Sequence, residues 1–294
     1  MPAAWLICIK AVNGGLFVAL FAVLGEMLQP KRFAGIFGAS PAVALANLIV
    51  TGLAKGDASA RTSATGMIAG AIALVAACVV TIPAVRRWGA VRGSAVLWGV
   101  WILVGGASIP AVGGAGAVAG IGLPARHRSR QRPGGNGTGG GGGRLFGVDF
   151  GALREIRPGD YALRFAFGAA ISVAAGLVSL AAGQRIGGIM LAAPAVLPAT
   201  LTIIEKQEGR KPAVTEVQGS VPGAIALIGF ALVAAVSIAE LPLAAALFGA
   251  LAAWVVLAVG GYLAQGMLWP TWRRDVLSVA GQRRDAAVQG RRAR

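Results

Sequence analysis

"AGIFGASPAVALANL" (34–48) and "GGIMLAAPAVLPATL" (187–201) align without a gap at an offset of 153 residues. Pro41 falls on Pro194, Ala42 on Ala195, Val43 on Val196, Ala46 on Ala199 and Leu48 on Leu201. The register continues: Gly56 falls on Gly209, Gly66 on Gly219, and "GAIAL" (70–74) on "GAIAL" (223–227). A register shared over this distance implies a duplicated unit. Each copy also carries a proline inside an apolar run of helical length. Proline removes a helix hydrogen bond and clashes with the preceding turn, at a cost of about 3 kcal/mol. Its repetition at equivalent places makes the interruption a feature to explain.

The chain around these stretches is apolar. Of 294 residues, 56% are hydrophobic and only 13% charged, and the mean hydropathy is +0.72. A soluble domain of this size needs more polar surface. Eight apolar blocks can be drawn, at 11–28, 33–53, 64–83, 95–119, 161–180, 186–204, 217–238 and 241–266. Each approaches the roughly 20 residues that span about 30 Å of hydrocarbon. The expected fold is an all-α, polytopic membrane protein. Transmembrane β-strands would be shorter and would alternate in polarity.

The repeat divides the chain into a four-helix unit (1–120), a basic Gly-rich linker (121–158), a second four-helix unit (159–268) and a basic tail (269–294). Four spans per unit return the chain to its starting side. The expectation is therefore two parallel repeats about an axis along the membrane normal. The first block lacks a small-x-small site after it, and its match to the fifth predicts that it is retained.

The net charge of +16 is explained by loops and tail rather than by nucleic acid. With the N-terminus inside, 21 of the 27 Lys and Arg residues fall on inner segments. The positive-inside rule then predicts a cell-membrane protein with both termini cytoplasmic. The tail, "WRRDVLSVAGQRRDAAVQGRRAR" (272–294), suits an anionic inner leaflet.

Pro41 and Pro194, with Pro198 nearby, define candidate bends in the second and sixth blocks. Bent helices near the midplane could line a path or pocket; proline also serves packing alone in membrane helices. Asn47 and Thr200, equivalent and six residues beyond the prolines, are the candidate polar lining. Interhelical hydrogen bonding would account for them equally. Asn13, Thr51, Ser172, Ser179 and Thr202 are further polar residues of the spans. Glu26 is the candidate ionisable group at membrane depth, and Lys10 is placed to snorkel.

"GMIAG" (Gly66, Gly70) and "GSVPG" (Gly219, Gly223) are GxxxG motifs at equivalent positions, and predict close backbone contact between helices. Gly35 with Ala39 and Gly188 with Ala192 form matching small-residue seams. Cys8 and Cys78 lie in apolar segments as packing residues. The one histidine, His127, sits in the linker, and no phosphate-cradling Gly-Lys motif occurs, so neither metal, cofactor nor enzymatic activity is expected.

"KRFAGIFGASPAVALANLIVTGLAKG" (31–56), followed by the GxxxG helix, resembles the GlpM-like family of small four-helix bacterial inner-membrane proteins, here duplicated in tandem. The resemblance implies an integral inner-membrane protein of unestablished function. One branch is linked to exopolysaccharide production. Two functions are carried forward: a transporter or channel for a small neutral or lipidic solute, and a non-transporting accessory protein of envelope assembly. The expected partners are the bilayer and an oligomeric or envelope-complex partner.

Overall fold

The computed structural model describes residues 3–29, 32–110, 147–148 and 158–268. The linker core with His127 and the tail lie outside them, as does the side chain of Glu26. The helices are α1 (Ala3–Met27), α2 (Arg32–Gly38), α3 (Ala42–Lys55), α4 (Asp57–Trp88) and α5 (Ala90–Ala107) in the first half. They are α6 (Pro158–Ala182), α7 (Gln184–Met190), α8 (Leu197–Glu208), α9 (Arg210–Ser237) and α10 (Leu243–Leu268) in the second. A two-residue antiparallel pairing joins β1 (Leu28–Gln29) to β2 (Gly147–Val148).

Two of the expected apolar blocks are broken rather than continuous. Among the described residues, six single helices are long and apolar enough to cross a membrane: Ala4–Gly25, Asp57–Trp88, Ala90–Ala107, Tyr161–Ala182, Arg210–Ser237 and Leu243–Gln265. The blocks expected at 33–53 and 186–204 are each two shorter helices, α2 with α3 and α7 with α8. The prolines explain the division. Pro41 stands immediately before α3, and Pro194 stands in the gap before α8. Neither has an N–H to continue a helix. Of the block expected at 95–119, residues up to Ala107 lie in α5, and 111–119 lie outside the described residues.

The turns repeat as well. Gly56, between α3 and α4, has φ of 85°, and Gly209, between α8 and α9, has φ of 94°. That left-handed region is open to glycine and costly to other residues. It lets one helix end and the next begin within a single residue.

Contacts fix the direction of every helix. Arg61, near the start of α4, donates from Nε to the carbonyl of Ala235, near the end of α9, at 3.0 Å. Glu205, near the end of α8, accepts from the Ala90 backbone N–H at 2.5 Å. The α8–α9 turn therefore lies beside the α4–α5 turn, and α4 and α9 run antiparallel. Ser63 of α4 donates to Gln184 at the start of α7 at 3.3 Å, so α7–α8 runs parallel to α4. Backbone contact between Gly35 and the Glu216–Gly219 turn likewise makes α2–α3 parallel to α9. We call the end holding Gly56 lower and the end holding Gly209 upper. Then α1, α4, α7–α8 and α10 ascend, and α2–α3, α5, α6 and α9 descend.

The halves are thus inverted, not parallel. Their pseudo-two-fold axis crosses the bundle at right angles to α4 and α9. Parallel halves require the segment between the units to return to the side it left. Instead α5 ends at the lower end, while Gly147 already pairs with Gln29 at the upper end. Ala3 of α1 lies at the lower end and Leu268 of α10 at the upper end.

The core follows the same symmetry. Leu74 and its equivalent Leu227 are each 2% exposed, and α4 and α9 carry the longest buried faces. Large apolar residues such as Leu103, Phe248 and Val256 point outward. That pattern suits a lipid-facing rim around a protein-packed centre.

Candidate functional site

The glycine motifs meet across the halves. A Cβ on Gly223 would lie 2.6 Å from the carbonyl oxygen of Ile36 and 3.3 Å from the Cβ of Ala39. A Cβ on Gly35 would lie 2.7 Å from the carbonyl oxygen of Glu216. The mirror contact joins Gly66 and Gly70 of α4 to α7: a Cβ on Gly66 would overlap the Arg185 carbonyl, and one on Gly70 the Ile189 carbonyl. A Cβ on Gly188 would overlap the Ser63 carbonyl. Each half-helix is therefore seated on the long helix of the other half. Only hydrogen at these positions permits that approach.

Two tryptophans complete the arrangement. Trp101 Nε1 donates to the Gly70 carbonyl at 3.1 Å, and Trp254 Nε1 donates to the Gly223 carbonyl at 3.2 Å. These pairs are equivalent at the 153-residue offset. Sequence reading overlooked them, although both tryptophans stand 31 residues beyond the second glycine of their motif. A buried indole N–H needs such an acceptor.

Because α2 descends and α7 ascends, their C-termini converge on the centre, and the two breaks face each other across α4 and α9. Between them lies a cavity of about 10 Å³, room for about one water. Its wall is formed by Gly38, Ser40 and Val43 from one break and by Ala193 and Val196 from the other, with Leu74 and Leu227 between. Ser40 Oγ is buried and has no hydrogen-bond partner among the described residues. Its equivalent is Ala193, so the two sides of the cavity differ chemically.

The prolines make the breaks, but the residues flanking them line this space. Asn47 lies elsewhere. It is 1% exposed, and its Nδ2 donates to the Val43 carbonyl and to Ser172 Oγ, both at 2.9 Å. It ties α3 to α6, while Asn13 of α1 donates to the Ala46 carbonyl at 3.0 Å. Thr200 turns back to its own helix, donating to Val196 at 3.1 Å, and Thr202 does the same to Pro198 at 2.9 Å. Ser179 donates to Ala175 at 2.6 Å. Lys10 is 4% exposed, packed over Gly176 of α6 rather than extended to the surface. Cys8 is exposed and Cys78 buried, and both are free.

Chemistry-bearing clusters are sparse. Among the described residues no group of three or more His, Cys, Asp or Glu could hold a metal ion. Glu205 is a carboxylate with two donors on it. It receives the Ala90 N–H and pairs with Arg210 at 3.2 Å. A carboxylate at a helix N-terminus is a stabilising arrangement, and it binds the upper turns of the two halves together.

The model of one family matches the chain twice, at residues 7–112 and 161–266. The chain belongs to the DUF3147 family, described as proteins of unknown function. Each match covers one half of the inverted bundle, so the DUF3147 unit is the α1–α5 set of elements. The two tandem matches accord with duplication of that unit. The match carries this family and not the narrower GlpM-like name. Comparison with curated proteins and with solved structures finds no match.

Proposed function

We propose that this DUF3147 chain is a membrane transporter that passes a small solute through the junction of its two broken helices. The observation that carries the reading is the cavity between the breaks, beside the pseudo-two-fold axis, with the unpartnered hydroxyl of Ser40 in its wall. Inverted repeats with interrupted helices converging near the midplane are a recurrent plan for alternating access. In such a plan each half rocks against the other about a central site. The arrangement here is closed, with room for about one water. A small, uncharged solute suits a wall with one hydroxyl and apolar side chains.

The test uses thiol access. Cys8 and Cys78 are replaced, and single cysteines are introduced as Ser40→Cys and Ala193→Cys in the full chain in proteoliposomes. A small membrane-impermeant reagent added to one side, then the other, should modify both positions. Silence of both from both sides would overturn the transport reading. The accessory role in envelope assembly would then be the better account.

A further inference from the structure

We propose that a lateral groove between α5, α6 and α8 holds one acyl chain of an anionic phospholipid, with Lys206 pairing to its headgroup. This stands independently of the transport reading. The groove has a volume of about 360 Å³ and opens on the outside of the bundle. Val91, Leu163, Phe167 and Ile203 form apolar walls, and Lys206 stands at its upper end. From Pro198 to Lys206 it follows nine residues of α8, a rise of roughly 12 Å. It therefore reaches from the helix ends down towards the midplane break, the depth over which a lipid tail enters a bilayer.

Charge and polarity identify the occupant. Lys206 is exposed and makes no ion pair among the described residues, whereas its neighbours Glu205 and Arg210 pair with each other. Arg86, Arg87, Arg92 and Lys211 are exposed at the same end. Ser94 Oγ, in the groove wall, is buried without a hydrogen-bond partner among the described residues. A hydroxyl one helical turn below a cation suits the glycerol-ester region of a lipid whose phosphate meets that cation. The device belongs to one half alone: the equivalents of Lys206 and Ser94 are Leu53 and Leu247. Pseudo-symmetry would have placed apolar residues at both, so the groove is not a by-product of the repeat.

The purified full chain in mild detergent is mixed with phosphatidylglycerol bearing a photoactivatable group in its acyl chain, or with the phosphatidylethanolamine analogue. Labelled peptides are then mapped by mass spectrometry. Label should concentrate at Val91–Ser94 and Pro198–Ile203, with the anionic lipid favoured about fivefold, the ratio that one lysine near a charged surface supplies. Lys206→Gln, at an exposed position, should bring the two lipids to parity. Ala199→Phe, which fills the groove, should remove the label there. Equal labelling by both lipids in the wild type would overturn the proposal. So would groove label no stronger than at the exposed Ile102–Val104, or label unchanged in a folded Ala199→Phe variant. If that variant does not fold, the Lys206→Gln comparison alone decides.

Discussion

At the scale of single residues, glycines and hydroxyls at equivalent positions do different work according to what they meet. Gly70→Leu and Gly223→Leu should each destabilise the chain by about 1–3 kcal/mol or more, since a side chain there forces apart backbones already in contact. Gly99→Leu is the control, because nothing lies within 4 Å of a Cβ there. Chemical unfolding in detergent should separate the first two from the third; equal stability of all three would refute the cross-half contact. Asn47 and Thr200 offer a second contrast. Asn47→Ala removes a buried bridge to Ser172, and should cost about 1–3 kcal/mol. Thr200→Ala removes only a bond to its own helix, and should stay within about 0.5 kcal/mol. Equal losses would show that Thr200 has an interhelical role not seen in this geometry. The sequence marked both positions as polar and equivalent. It could not show that one amide finds Ser172 on a helix 125 residues away, while the other hydroxyl folds back four residues.

At the scale of elements, the repeated prolines made the interruptions legible, and the repeated glycines made the seams legible. Both signals are local: a missing N–H and a missing Cβ act where they stand. What they could not reveal is the partner. Gly66 and Gly70 could have met any helix with small residues, and they meet α7 of the other half rather than α2 of their own. The tryptophan bonds belong to this level, because each fastens α5 or α10 to the long helix beside it through the carbonyl of the motif's second glycine. Trp101→Phe and Trp254→Phe retain most apolar area and lose one hydrogen bond apiece. Each should cost about 1 kcal/mol. Since the two sites share no partner, the double variant should lose close to the sum. A double variant far from the sum, in the same unfolding assay, would show that the halves are coupled through these two positions.

At the scale of the whole molecule, the orientation of one half relative to the other left no mark in the aligned residues. An alignment records which positions correspond and says nothing of which way each copy faces. Four spans per half give parallel halves only where the chain returns to one side before the second copy. The contacts that reverse this are few and long-range: Arg61 to Ala235, Ala90 to Glu205, and Gly52 against Leu243. They place Asp57 and Glu240 at the lower end, and Arg87 and Lys211 at the upper. Parallel halves would instead put Asp57 with Lys211 and Arg87 with Glu240, so the two arrangements differ in which pairs share a side. All four residues are exposed. Single cysteines at these positions, in a full chain lacking Cys8 and Cys78, should therefore label in pairs when intact cells meet an impermeant thiol reagent. Asp57→Cys and Glu240→Cys should behave alike, and Arg87→Cys and Lys211→Cys should behave alike and oppositely. Among the residues with described side chains, the upper end also holds Arg86, Arg87, Arg92, Arg164, Lys206, Arg210 and Lys211, against Lys10, Lys55, Arg61 and Arg185 below. The positive-inside rule then predicts a cytoplasmic upper end. The Asp57 and Glu240 pair should accordingly be the one labelled from outside. Labelling of Asp57→Cys together with Lys211→Cys would restore parallel halves. Labelling of the Arg87 and Lys211 pair would keep the inversion and turn the molecule over.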